Sequence, residues 1–219
     1  MKQETKVVLG MIGVCLVIFI GIIFLSDRGT SPQNSLSDTQ PIVDQTVLVR
    51  EDSKKIEVAG SKITLVEFAD FECESCGAAH PILKKIKEEY KEKMTFVFRN
   101  FPLHGNSVLA AKAAEAAGEQ GKFWEMHDKL FENQKQWGEK QTPQTELFRK
   151  YAQELGLNMT NFNTVIASTK YEDKIARDKN DGVKAGVTGT PTFYLNGKII
   201  KGVPTYAQLK QLIDSELNK

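Results

Sequence analysis

Two cysteines two residues apart, Cys73 and Cys76, stand between an apolar β-type segment and a segment with helical periodicity. A cysteine in that position lies over a helix N-terminus, where unpaired N–H groups and the positive end of the helix dipole favour thiolate over thiol. A Cys-x-x-Cys loop closes too few residues to be an effective structural disulfide. A zinc site would need two more ligands, for which His80, His104 and His127 would compete. The spacing therefore predicts a redox site.

The segments around the cysteine pair predict a β-α-β unit. Residues 63–68 and 94–99 are rich in β-branched and aromatic side chains, and the segment between them has apolar residues at helical spacing. Because such crossovers are right-handed, we expect the two strands to be parallel neighbours in one sheet.

The C-terminal region predicts a hairpin and a final helix. Asn196 and Gly197 separate residues 192–195 from 198–201, and this dipeptide between two apolar runs is typical of a tight β-hairpin. Thr205 and Gln208 match a capping box, which predicts that a helix begins at that point.

Between the second strand and the hairpin lies a long region without a strand pattern, which turn residues divide into helical pieces. It predicts an inserted helical layer at about residues 106–186. The expected helices are residues 107–118, residues 122–131, a helix opened by Thr142-Pro143 and closed by Gly156, and residues 170–185.

The N-terminal region predicts a membrane anchor. Residues 7–25 include no charged side chain, and nineteen residues suffice to cross about 30 Å of hydrocarbon as a helix. A cleaved signal sequence is the alternative, but no small-residue cleavage motif follows residue 25. Lys2 and Lys6 precede the span and Arg28 alone follows it closely, which places the N-terminus in the cytoplasm and the rest of the chain outside.

Composition divides the remainder of the chain into a linker and one domain. Residues 26–41 are mostly polar, Gly and Pro, which predicts a flexible linker, and residues 42–219 predict the folded domain. A formal net charge of +1 without a Lys or Arg block gives no case for nucleic acid binding.

Three features of the sequence resemble the DsbA-like disulfide oxidoreductases. They are Phe71-x-Cys73-x-x-Cys76 with Pro81 five residues beyond, Thr190-Pro191 before a strand, and the helical insertion between them. The resemblance covers about residues 47–217. It implies an α/β, thioredoxin-like fold with an inserted all-helical subdomain, here preceded by an N-terminal transmembrane helix.

The resemblance assigns roles that physical chemistry also supports. Cys73 matches the nucleophilic cysteine and Cys76 the resolving one, and the first sulfur on the helix is the better placed for attack. Glu67 matches a buried carboxylate beneath the site, where a raised pKa would let it exchange the proton of Cys76. Pro191 matches the family's cis-proline, which would leave the Thr190 backbone free to pair with an extended substrate.

The dipeptide between the cysteines departs from the strongest oxidants of the family. Glu74 and Ser75 replace a proline and histidine pair. Because Glu74 places a like charge near the thiolate, we expect the pKa of Cys73 and the oxidising power to lie closer to ordinary values.

These features predict an extracytoplasmic thiol-disulfide oxidoreductase in the cell membrane, single-pass, that introduces or exchanges disulfides in exported proteins. The resemblance implies cysteine-containing exported substrates and reoxidation by an integral-membrane, quinone-linked partner. We expect a monomer without a cofactor or metal, because residues 42–61 are too few for a dimerisation domain. The alternatives are a reductase of the same fold and a copper chaperone that binds metal between Cys73, Cys76 and a histidine.

Overall fold

The computed structural model describes residues 42–219. The predicted membrane anchor at residues 1–25 and the predicted linker at residues 26–41 lie outside this part. Within residues 42–219, no helix is long and apolar enough to span a bilayer.

A five-stranded sheet, in the order β1-β3-β2-β4-β5, forms the centre of the described part. The central strands β2 and β3 are parallel, and the other neighbours are antiparallel. The strands are β1 Lys54–Ile56, β2 Ile63–Ala69, β3 Met94–Asn100, β4 Thr192–Leu195 and β5 Lys198–Ile200.

Helices cover both faces of the sheet, and six of those in the described part lie between β3 and β4. They are α1 Gln45–Leu48, α2 Glu74–Glu89, α3 Ser107–Gly118, α4 Phe123–Glu132, α5 Gln134–Trp137, α6 Thr145–Glu154, α7 Met159–Ala167, α8 Glu172–Ala185 and α9 Tyr206–Leu217. The helix α2 connects β2 to β3 and begins directly after Cys73.

The core has two parts, one on each face of the sheet. On one face Leu65 of β2 packs with Leu83 of α2, Ile213 of α9 and the helices between β3 and β4. On the other face Val66 and neighbouring side chains pack with α1 and the end of α8. Since side chains alternate along a strand, Glu67 of β2 points to the same face as Leu65.

Several sequence predictions about this fold are confirmed. The strands β2 and β3 are parallel, the hairpin turns at Asn196 and Gly197, which have φ values of 49° and 83°, and Thr205 and Gln208 form the capping box of α9. One helix start was wrong: α6 begins at Thr145, beyond the predicted start at Thr142-Pro143.

Elements that the sequence analysis did not predict are short or have mixed composition. The strand β1 has three half-buried residues and pairs only with β3 at the edge of the sheet. The helix α7 buries Phe162, Val165 and Ile166 and is capped by Asn158, whose side chain accepts a hydrogen bond from the Asn161 N–H. This cap and the i, i+3, i+4 spacing were the signals that would have found α7.

Candidate active site

The cysteine pair lies at the N-terminus of α2, beyond the C-terminal end of β2. Cys73 is the N-cap residue and is half-buried, whereas Cys76 lies in the first turn and is fully buried, with 0% of its surface exposed. Both are free thiols. Only the first sulfur is therefore accessible to a partner molecule.

The surroundings of Cys73 stabilise its thiolate. The pKa of Cys73 is lowered to about 5. A hydrogen bond from the Cys76 thiol is the largest cause, partial burial acts against it, and Thr190 and the N–H groups of Cys76 and Ser75 also lower the pKa. These N–H groups are the unpaired donors of the helix N-terminus. The sulfur is thus ionised at neutral pH.

A buried carboxyl group lies beneath the pair. Glu67 is 1% exposed, and one of its carboxyl oxygens has no hydrogen-bond partner. Burial raises the pKa of Glu67 to about 8, while the charge of Lys87 acts in the opposite direction. Burial also raises the pKa of Cys76 far above its ordinary value, and both Cys73 and Glu67 add to that rise. Glu67 and Cys76 are therefore electrostatically coupled proton-binding groups.

The loop before β4 completes the site. The Thr190–Pro191 peptide bond is cis, which confirms that prediction. The Cys73 sulfur lies 3.3 Å from the Thr190 carbonyl oxygen, to which the thiol donates a hydrogen bond when it is protonated. The structure therefore brings together the cysteines, Thr190 and Pro191, which are more than a hundred residues apart in sequence.

The expected effect of Glu74 on the pKa of Cys73 stays a prediction. Its side chain is exposed on the first turn of α2, and the groups that lower the pKa of Cys73 most are the Cys76 thiol, Thr190 and backbone N–H groups. The pKa of Cys73 lies below the ordinary thiol value because these groups stabilise the sulfur directly, whereas solvent surrounds the Glu74 carboxylate. Ser75 contributes through its backbone N–H.

Two buried carboxylates that the sequence analysis missed hold the loop before Cys73. Asp70 accepts hydrogen bonds from the Glu72 N–H at 2.9 Å and bonds His104 Nδ1 at 2.6 Å. Glu72 accepts from the Asn106 N–H at 2.6 Å and the Glu139 N–H at 3.0 Å. The acidic residues around Phe71 were visible in the sequence, but their partners come from distant segments. His104 lies in the loop between β3 and α3.

Gln134 of α5 was also missed. Its side chain, 8% exposed, donates from Nε2 to the Phe71 carbonyl at 2.7 Å and to the Cys73 carbonyl at 2.9 Å. No local pattern marks this residue, because its role depends on packing between segments about sixty residues apart.

Near the site, His80, His127 and Asp128 have ligand atoms within 4.8 Å of one another, close enough to hold a metal ion. Burial lowers the pKa of His80 to about 4 and that of His127 to about 3, so both rings are neutral. However, the carboxylate of Asp128 already faces two ammonium groups, Lys84 Nζ at 3.4 Å and Lys87 Nζ at 4.0 Å. These charges oppose a cation, so we interpret the histidines as core residues.

The comparisons with known proteins agree with this geometry. A family model described as thioredoxin matches residues 59–215. The probable disulfide bond formation protein D of Bacillus cereus is 33% identical over 164 residues, which cover 72% of this chain and 75% of that protein. The chain belongs to the thioredoxin family, within its DsbA-like thiol-disulfide oxidoreductases.

Solved structures show the same fold. Oxidised BdbD from Bacillus subtilis has 25% identity and a TM-score of 0.70, with 82% of this chain and 98% of that chain covered. The α-DsbA1 protein of Wolbachia pipientis has 24% identity and a TM-score of 0.73, with 80% and 95% covered.

Another relative has a different name. The Na(+)/H(+) antiporter NhaA 3 of Salinispora tropica is 37% identical over 169 residues. The match covers 74% of this chain but 24% of that protein, so this chain spans about a quarter of such relatives. Ion transport is therefore not carried over to this chain.

Proposed function

We propose that the chain is a membrane-tethered enzyme that oxidises cysteine pairs in exported proteins through Cys73 and Cys76. The observation that carries this proposal is the arrangement of the two sulfurs, one half-exposed with its pKa lowered to about 5 and the other fully buried behind it. A stabilised thiolate favours the reduced form of the enzyme, so the oxidised form is a strong acceptor of electrons from clients.

The reaction proceeds by two thiol–disulfide exchanges. A client thiolate attacks the Cys73 sulfur of the Cys73–Cys76 disulfide, a mixed disulfide forms, and the Cys76 sulfur leaves. A second client thiolate then attacks the client sulfur, and Cys73 leaves as a thiolate. The client loses two electrons and the enzyme gains them.

Glu67 supplies the proton that Cys76 needs as a leaving group. With a pKa of about 8, its carboxyl group is mostly protonated at neutral pH. The Cys76 thiolate is costly in its buried position, so protonation by Glu67 favours departure of this sulfur. On reoxidation the same carboxylate takes the proton back.

The backbone at Thr190 and Pro191 binds the client. The Thr190 carbonyl lies beside the Cys73 sulfur, where an extended client segment would align its own N–H and C=O groups for a single rung of β-type pairing. Ser75 adjusts the redox potential through its backbone N–H, and the exposed carboxylate of Glu74 adjusts it to a smaller extent.

The N-terminal segment supports the proposed location, and the likeness to DsbA-like oxidoreductases supports the proposed redox partner. Residues 7–25 anchor the chain as a single span with the catalytic domain outside the cell membrane, and an integral-membrane partner reoxidises the cysteine pair. A variant in which a cleavable export signal replaces residues 1–28 should leave the membrane fraction. It should appear instead in the extracytoplasmic soluble fraction or in the culture medium. Release of the parent chain by alkaline carbonate washing would contradict an integral anchor.

Capture of client proteins tests the assignment of the sulfurs. In Cys76→Ser the Cys73 thiolate can still attack a client disulfide, but Cys76 is no longer there to displace the client, so mixed disulfides should accumulate, whereas Cys73→Ser should accumulate none. Non-reducing gels of cells that express each variant would show the adducts. Equal capture by both variants would contradict the assignment.

A further inference from the structure

The helical layer reaches the redox site through one buried side chain. Gln134 Nε2 donates to the carbonyl groups of Phe71 and Cys73 at 2.7 and 2.9 Å. The Cys73 carbonyl also accepts the Gly77 N–H at 3.1 Å, the first hydrogen bond of α2. One amide group thus connects the two peptide carbonyls that flank the segment leading into α2.

The side-chain amide of Gln134 packs closely against the first turn of α2. A Cβ atom at Gly77 would lie 2.4 Å from Gln134 Oε1, so residue 77 must be a glycine while the amide keeps its place. The backbone of Gln134 is also held, because the Gly138 N–H donates to the Gln134 backbone carbonyl at 2.7 Å. The helix α5 is fixed by Trp137, which is fully buried and donates from Nε1 to the Leu130 carbonyl at 3.0 Å.

We propose that Gln134 is a positioning residue that holds the Cys73 backbone so that its sulfur stays over the N-terminus of α2. The sulfur position depends on the backbone of Cys73, which as N-cap has φ −71° and ψ 121°, outside the helical region. Holding the Cys73 carbonyl in place fixes this geometry and keeps the Ser75 and Cys76 N–H groups directed at the sulfur. The helical layer is in this way part of the redox site.

The inference rests on the proposed role of Cys73 as the attacking thiol. Substitution of Gln134 by methionine keeps the length and packing of the side chain but removes both donors. We expect the pKa of Cys73 in Gln134→Met to rise by about one unit, with about a tenfold loss of thiolate at pH values below it. Gln136→Met, an exposed glutamine on the same helix, should leave the pKa unchanged.

The measurement is the pH dependence of Cys73 alkylation by iodoacetamide in the reduced full-length chain. Cys15, the third cysteine of the sequence, is replaced by serine in every variant, and mass spectrometry identifies the modified residue. Circular dichroism confirms that each variant is folded. A folded Gln134→Met with the parent pKa of Cys73 would overturn the proposal.

A second variant decides the question if Gln134→Met does not fold. In Gly77→Ala the added methyl group displaces the side-chain amide of Gln134, so the pKa of Cys73 should also rise. In a Gln134→Ala background there is no amide to displace, so Gly77→Ala should raise the pKa of Cys73 much less. Equal shifts in both backgrounds would overturn the proposal. Failure of Cys76→Ser to capture clients would instead count against the proposed function, so the two failures are distinguishable.

Discussion

Glu67 is a carboxylic acid in the apolar layer between the sheet and α2. Burial raises its pKa to about 8 from an ordinary value near 4.5. Because the folded-state pKa lies above the unfolded-state value, the folded protein is favoured below pH 4.5, and this contribution is lost as pH rises through 8.

Replacement of Glu67 by glutamine should therefore remove part of the alkaline loss of stability. We expect Glu67→Gln to gain about 2 to 5 kcal/mol in free energy of unfolding, relative to the parent, between pH 4 and pH 9. Urea unfolding at both pH values measures this, with the exposed Glu92→Gln as control. Parallel pH profiles for Glu67→Gln and the parent would show that Glu67 keeps an ordinary pKa.

We expect the residues between the cysteines to act on the pKa of Cys73 through the backbone more than through their side chains. The exposed carboxylate of Glu74 is screened by solvent, whereas the Ser75 N–H bonds the Cys73 sulfur. Glu74→Gln should change the pKa of Cys73 by less than about 0.5 unit, whereas Ser75→Pro, which lacks the N–H, should raise it by more. The absorbance of the thiolate during pH titration would reveal the opposite order if the side-chain charge dominated.

At the scale of elements, α8 lies so close to the sheet that it requires a glycine. A Cβ atom at Gly182 would lie 2.7 Å from Phe101 and 3.0 Å from Phe68, both of which are buried rings. Such contacts leave no room for a methyl group unless the helix moves away from the sheet.

We expect Gly182→Ala to lower the free energy of unfolding by about 1 to 3 kcal/mol through overpacking. At Gly105 a Cβ would meet nothing within 4 Å, so Gly105→Ala serves as the control and should be within about 1 kcal/mol of the parent. Chemical denaturation measures both. A neutral or stabilising Gly182→Ala would mean that α8 lies farther from the sheet than described.

The sequence predicted those elements whose signals are local. The strands β2, β3 and β4 have apolar runs, the hairpin has its own dipeptide, and the cysteine pair has its spacing. The strand β1 could not be found, because its three residues are held only by pairing with β3. For the same reason, only those residues of the site that belong to local motifs were predicted. Gln134 and the partners of Glu72 reach the cysteine loop through packing of the helical layer, which no local pattern shows.

For the molecule as a whole, the sheet and the inserted helices converge on one half-exposed sulfur. The strand β2 supplies Glu67, α2 supplies the N–H groups, the loop before β4 supplies the Thr190 carbonyl, and α5 supplies Gln134. No other sulfur is present in the described part, residues 42–219, besides those of Cys76 and the methionines. The proposed membrane anchor would place this single reactive centre outside the cytoplasm, where disulfides persist.

The central claim is that the protein stabilises the Cys73 thiolate and is thereby an oxidant. The reduction potential of the Cys73–Cys76 pair, measured by equilibrating the purified protein with glutathione buffers, tests this most directly. With the pKa of Cys73 near 5, we predict a potential between about −200 and −120 mV, on the oxidising side for thiol–disulfide proteins. A potential at or below about −270 mV would identify a reductase and contradict the account.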